Sequence, residues 1–278
     1  MRIIPISDLH VDFLRANKHS DLRPHMYSAE WIRGHFQSIL NKDDVNVICV
    51  AGDIAERMKG VVWALRAATA LTEIANTYVV YVPGNHEFYG ANYDMLIDDM
   101  NETTKTAERA FILDGCVCPA VQIGDVTFIG GTMWTSLCHG AASEAAKKSM
   151  NDYKYILSGA SNKPISPNRT MQEHYIQRKT IFKKLEACET EKRVVITHHR
   201  PFTPEVITDQ GGYAYYEDLS EELRACTKPP QFWISGHDHK AHYKEVQYPH
   251  GLVTFVSNPV GYGNEMETGY RKECYFDI

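Results

Sequence analysis

Val45-Asn46-Val47-Ile48-Cys49-Val50-Ala51-Gly52-Asp53 begins as a β-branched run and ends in a glycine and an acid. The apolar run has the length of a buried strand, and the chain turns polar where such a strand would leave a sheet. The pattern recurs along the chain. Ile3 to Ile6 leads into Ser7-Asp8-Leu9-His10, and Tyr78 to Val82 into Pro83-Gly84-Asn85-His86-Glu87. Arg193 to Ile196 leads into Thr197-His198-His199-Arg200-Pro201, and Phe232 to Ile234 into Ser235-Gly236-His237-Asp238-His239. Val126 to Ile129 and Leu252 to Val256 complete the strand candidates.

Amphipathic stretches separate these runs. Ile32, Phe36, Ile39 and Leu40 fall on one helical face. Lys59 to Ala75 carries Ala, Leu and Val at helical spacing, Asn92 to Ala110 gives a third helix, and a fourth starts near Thr170, where Thr170 and Glu173 make a capping box. Strands alternating with helices predict an α/β architecture. Residues 136–168 hold Gly, Ser and two Pro and read as loops around a short helix: an insertion or lid within a single domain spanning 1–278.

Composition narrows the function. The chain has 278 residues, 35 acids against 29 bases, and a formal charge of −6. It supplies no broad basic surface for a nucleic acid. Its seven cysteines show no C-x-x-C spacing and read as free thiols of a reducing cytoplasm. The apolar part of the N-terminus is too short for a signal-peptide core, and no apolar run reaches membrane-spanning length. Histidine is abundant, at 13 residues, and its placement carries the argument.

In α/β sheets, sites form outside the carboxyl ends of strands. The five polar strand ends offer two carboxylates, one amide and several imidazoles, all O and N donors. That set suits hard or borderline divalent metals. Seven donors exceed the usual needs of one ion and suit two ions sharing a carboxylate, about 3.5–4 Å apart. In His237-Asp238-His239 the imidazoles at i and i+2 point the same way if the segment is extended, and can serve separate metals.

In this order, D-x-H, G-D, G-N-H-E, H-H and G-H-x-H resemble the calcineurin-like metallophosphoesterase superfamily, from Asp8 to His239. Thr132-Met133-Trp134-Thr135, Met150-Asn151-Asp152-Tyr153 and Asn258-Pro259-Val260-Gly261-Tyr262 also resemble a bacterial and phage-type branch. The resemblance implies a four-layer α/β/β/α sandwich of two mixed sheets with a dinuclear site at one edge. Matched by motif, Asp8, His10, Asp53 and His239 would bind one metal, and Asp53, Asn85, His198 and His237 the other, with Asp53 bridging. His86 would stay off the metals and act on the leaving oxygen or the charged transition state. A hydroxide between the metals would be the nucleophile. The N and O donors permit Mn, Fe, Zn, Ni or Co, and Mn²⁺ is the favoured expectation. The expected activity is hydrolysis of a phosphodiester, in preference to a phosphomonoester, in a small phosphorylated or nucleotide-like substrate. A nuclease on the same fold and a catalytically silent binding module are the alternatives; the charge opposes the first, and the complete donor set with His86 opposes the second.

One departure stands out. Larger relatives carry an Asp three residues after the bridging Asp, where this chain has Glu56 followed by Arg57. Glu56 would orient His86 and Arg57 would hold a phosphate oxygen; a solvated pair at a helix start is the other reading. His199 is open between a donor behind the ligands, a substrate contact and a filled polar slot. Gln210 to Glu217, with two glycines and three tyrosines, reads as a lid or as a loop packed on the core. His19, His25, His35, His139, His174, His242 and His250 lack motif context and read as surface or structural residues.

Overall fold

Apolar residues pointing both ways from one strand require a layer on each side. In the computed structural model, which describes residues 1–12, 23–204, 207, 209–265 and 267–278, β1 (Arg2–Ile6), β2 (Asn46–Ala51), β3 (Thr77–Val82) and β4 (Ala110–Ile112) run parallel, side by side. His19 lies outside the described residues. Along β2, Val47, Cys49 and Ala51 face one side and Ile48 and Val50 the other, all fully buried. A strand covered on both faces has no place for polar alternates, so it reads as an unbroken apolar run.

The second sheet follows. Its edge strand β5 (Ala120–Ile123) is antiparallel to β6 (Val126–Gly131). A small separate hairpin, β7 (Leu157–Ser158) and β8 (Lys163–Pro164), interrupts before β9 (Lys192–Thr197), β10 (Phe232–Ser235), β11 (His242–Tyr248) and β12 (Gly251–Ser257). The order is β11-β12-β10-β9-β6-β5, parallel in its centre and antiparallel at both edges. Finally β13 (Phe276–Asp277) returns antiparallel to β1.

Ile3, Val47, Val80, Phe128, Val194 and Ile234 fill the space between the sheets. Outside the first sheet lie α1 (Ala29–Phe36), α2 (Lys59–Thr72) and α3 (Tyr93–Thr104), packed through Ile32, Trp63, Leu71 and Met100. Two short helices, α4 (Ser143–Ser149) and α5 (Asp152–Tyr155), precede α6 (Pro167–Ala187), which with α7 (Ser220–Ala225) covers the second sheet through Ile181, Leu185 and Leu223. The stack is the expected α/β/β/α sandwich of two mixed sheets. Among the described residues, no helix is long and apolar enough to cross a membrane.

Helix ends differ from the sequence reading. Ile39 and Leu40 are buried beyond the end of α1, and Ala110 opens β4 rather than closing α3. The fourth helix begins at Pro167, not near Thr170. Ser166 Oγ accepts from Arg169 N at 3.3 Å, and proline holds the first helical position, where its missing N–H is not needed. Thr170 and Glu173 therefore sit buried one turn inside, Thr170 against the Tyr153 hydroxyl and Glu173 paired with Arg169.

Because the inner strands of both sheets share one sense, their carboxyl ends emerge along one edge. Backbone bonds tie these ends together: Asp8 N to Gly52 O at 3.0 Å, Gly236 N to His198 O at 2.9 Å, and Val260 N to Ser7 O at 3.0 Å.

Candidate metal centre

Each strand reaching this edge passes into a tight loop. Asp8, His10, Asp53, His237 and His239 all have positive φ, at 55°, 44°, 56°, 75° and 52°. Asp and His enter this left-handed region more readily than most residues, and such backbone concentrates at functional sites. The His237-Asp238-His239 segment is therefore kinked, not extended, and the kink turns both imidazoles inward. Gly52, at φ 84°, lets the β2 and β3 loops touch: a Cβ there would stand 2.7 Å from Gly84 Cα.

Two groups of donors result. Ligand atoms of Asp8, His10, Asp53 and His239 lie within 4.8 Å of one another, as do those of Asp53, His198 and His237. Asn85 Oδ1 joins the second group, 2.9 Å from His198 Nε2. Asp53 belongs to both, with Oδ2 3.7 Å from His10 Nε2 and Oδ1 3.4 Å from His198 Nε2. Imidazole nitrogens face each other inside each group, His10 to His239 and His198 to His237, both at 3.1 Å.

Bonds behind the rings choose which nitrogen faces inward. His198 Nδ1 donates to the Ala51 carbonyl at 2.8 Å, and His239 Nδ1 to Glu265 Oε2 at 2.6 Å, which leaves each Nε2 for the site. Burial pulls His198 down, but Asp53 beside it outweighs burial and raises the imidazole to about 10. Burial is likewise outweighed at His239, where Asp8 raises it to about 9. Burial drives His10 and His237 well below the usual imidazole range. Asp53 stays ionised well below the usual carboxylate range, because His198 and His86 overcome its burial. Each half thus favours positive charge among converging O and N acceptors, a chemistry that fits two hard or borderline divalent cations.

His86 stands outside both groups. Its backbone N–H donates to Asp53 Oδ1 at 2.9 Å, and its Nε2 lies 3.0 Å from the Tyr262 hydroxyl. Glu56 lines a cavity beside His86, while the Arg57 guanidinium lies over Gly90. His199 lies behind the donors, its ring 4.3 Å from His237 and its Nδ1 3.2 Å from the Thr132 carbonyl, and burial lowers it to about 3.

Three contributors were given no role in the sequence reading. Glu87, fully buried, accepts from the backbone of Gly84 at 2.6 Å, Asp53 at 3.0 Å and Ile54 at 2.7 Å, clasping two loops. Burial, then Asp53, pushes it up to about 7. Tyr262 covers the centre, its ring 4.3 Å from His10 and 4.6 Å from His239. Glu265 accepts from Tyr262 N at 2.7 Å with the oxygen that also holds His239. Tyr262 and Glu265 follow β12, a further strand ending at this edge. The available signal was the stretch Asn258 to Tyr262, which carried the branch resemblance but holds no metal-type donor to point to a role.

Two cavities open here. One of about 610 Å³ is lined by Asp53, His237, Met150, Arg200, Lys240 and Tyr215, whose ring stacks on His237 at 4.7 Å. Another, of about 660 Å³, includes Glu56, Tyr155 and Asn264. They share His86, Tyr89, Asn151 and Tyr262. The segment 136–168 thus supplies part of the wall. Gln210 to Glu217 packs on the core through Ala214, with Glu217 accepting from Ser136 N at 2.6 Å, and Tyr215 faces the cavity.

Residues 1–241 match the family model of the calcineurin-like phosphoesterases. A protein of Acanthamoeba polyphaga mimivirus is 27% identical over 218 residues, covering 72% of this chain and 73% of that one. The crystal structure of phosphopantetheinyl hydrolase (PptH) from Mycobacterium tuberculosis aligns with a TM-score of 0.60 at 15% identity, over 96% of this chain and 93% of that one, a likeness of fold.

Proposed function

This chain belongs to the calcineurin-like phosphoesterase family, and on that premise we propose that it is a dimetal phosphodiesterase acting on a small phosphorylated, nucleotide-like molecule. The observation that carries the reading is the pair of donor groups sharing Asp53, in the wall of the cavity of about 610 Å³. Asp8, His10, Asp53 and His239 would hold one cation, and Asp53, Asn85, His198 and His237 the other, with Mn²⁺ the favoured ion. Bound there, two divalent cations supply Lewis acidity toward the phosphoryl oxygens and an activated water.

The chain's own residues do the rest. Asp53 holds both halves together because its two oxygens face opposite ways. His86, off the donor groups and on the substrate side, gives its proton to the departing ester oxygen. Tyr262 fixes the His86 ring through Nε2. Tyr215 offers an aromatic face to a base. Two cavities meeting at His86 leave room for a substituent on each side of phosphorus, which supports a diester over a monoester. A net charge of −6 supports a small substrate over a long polyanion. Seven free cysteines support a reducing, cytoplasmic setting.

The test is turnover of bis-p-nitrophenyl phosphate against p-nitrophenyl phosphate with Mn²⁺, Ni²⁺, Zn²⁺ or Mg²⁺. Diester turnover should exceed monoester turnover, and EDTA or Asp53→Asn should reduce both to background. Activity surviving either treatment would defeat the dimetal reading.

A further inference from the structure

Asn85 faces a requirement that the imidazoles do not. Its amide ends in two atoms of similar size and opposite sense: the oxygen has lone pairs to give, the NH₂ has only hydrogens. A cation accepts only the oxygen, so an Asn works as a ligand in one of two orientations about its last torsion. Asn85 Oδ1 is turned toward His198 Nε2, inside the second donor group. Its Nδ2 points the other way, 2.7 Å from Oδ1 of Asp152 and 3.2 Å from the Tyr89 hydroxyl. The Tyr89 hydroxyl donates to that same Asp152 oxygen at 2.7 Å.

Asp152 is 2% exposed and begins α5, in the segment between the short α4 and the β7–β8 hairpin. Its oxygen already accepts from Tyr89. It welcomes the amide NH₂ and repels the amide oxygen. A flipped Asn85 would set two acceptors against each other between side chains that are each 2% exposed, leaving both without a donor.

We infer that Asp152 is a positioning residue for the metal centre: it locks the Asn85 amide so that the oxygen, and not the nitrogen, faces the second cation. This rests on the dimetal reading above. It gives the segment 136–168 a task beyond forming a wall, since it reaches across from α5 to set the chemistry of a ligand on the β3 loop.

The experiment is calorimetric titration of the full chain, stripped with EDTA, with Mn²⁺ alone. Wild type should take up two ions. Asp152→Leu, branched alike but larger and without an acceptor, should weaken one ion by about 10–100-fold and leave the other unchanged. Asn85→Asp alone sets carboxylate against carboxylate and should also weaken one ion by about tenfold or more. The exchange Asn85→Asp with Asp152→Asn restores the pair with its polarity reversed: the new amide donates to the new carboxylate, whose second oxygen serves the cation. This double variant should recover wild-type affinity for both ions. It conserves volume, so the comparison with Asn85→Asp stands even if Asp152→Leu does not fold. Folded Asp152→Leu that binds both ions as wild type does would overturn the proposal. So would equal weakening of both ions, or an exchange variant no better than Asn85→Asp. Wild type that takes up fewer than two ions would overturn the dimetal reading, and this proposal with it.

Discussion

Asp53 joins three demands in one side chain. Its backbone sits at φ 56°, its Oδ1 accepts from His86 N, and its two oxygens face different donor groups. Asparagine tolerates the left-handed backbone at least as well as aspartate and keeps one oxygen, so Asp53→Asn should fold. It removes the charge that draws positive charge into both halves. Wild type stripped of metal should therefore gain stability when Mn²⁺ is restored, by about 2.7 kcal/mol for each ion at a hundredfold excess over its Kd, while Asp53→Asn gains little. Thermal melts with and without Mn²⁺ check this; equal gains in the two proteins would remove Asp53 from the centre. Asp53, and with it Asp8, His10, Asn85, His198, His237 and His239, was legible as a candidate because its residue type and its place after an apolar run are both local features. Glu87, Asp152 and Tyr262 stood in stretches that carried the resemblance, but their roles were not legible there, and neither was that of Glu265. Each acts through a partner far along the chain, such as His86 with Tyr262, and ordinary Tyr, Asp and Glu residues carry no local mark of such a partner.

At the scale of elements, strand interiors were easier to read than helix ends. An apolar run such as Val79 to Val82 stays apolar because both of its faces are covered, whatever its neighbours do. A helix end depends on one side chain winning a competition. Thr170 and Glu173 have the capping spacing, but Ser166-Pro167 lies upstream and starts α6 first. Once inside the helix, the Thr170 hydroxyl turns to Tyr153 and Pro167 instead. Ser166 is solvent-exposed and its cap bond goes to Arg169 N, so Ser166→Ala should remove that bond with little else. The expected loss is about 1 kcal/mol in urea unfolding at constant m. No loss would mean that another group caps α6. Strands β4, β5, β11 and β13 escaped the reading for a related reason: they are edge or terminal strands, short or with one face in water, and β11 (His242–Tyr248) is largely polar.

For the whole molecule, the interior also takes up histidines outside the metal donors as neutral groups. His174 is fully buried on α6; its Nδ1 meets the Trp134 carbonyl, and its Nε2 lies 3.8 Å from Glu217. Burial first, with Arg178 adding to it against the Trp134 bond, lowers it to about 4. His35, between Trp31 and Tyr270, is lowered by burial and Lys272 to about 4 as well. In the unfolded chain both titrate near about 6.5. Between these values the unfolded state binds the extra protons, so acid favours unfolding. The stability these residues confer is complete above about pH 6.5 and is lost as pH falls toward 4, by up to about 3 kcal/mol for His174. Melts of the EDTA-treated chain from pH 7 to pH 4.5 should show this loss independently of metal release. His174→Gln cannot take up the proton, so its stability should fall less steeply, and the two curves should converge as the pH drops. Parallel curves would mean that His174 holds its proton equally well in the folded and unfolded chain, and that burial on α6 does not keep it neutral.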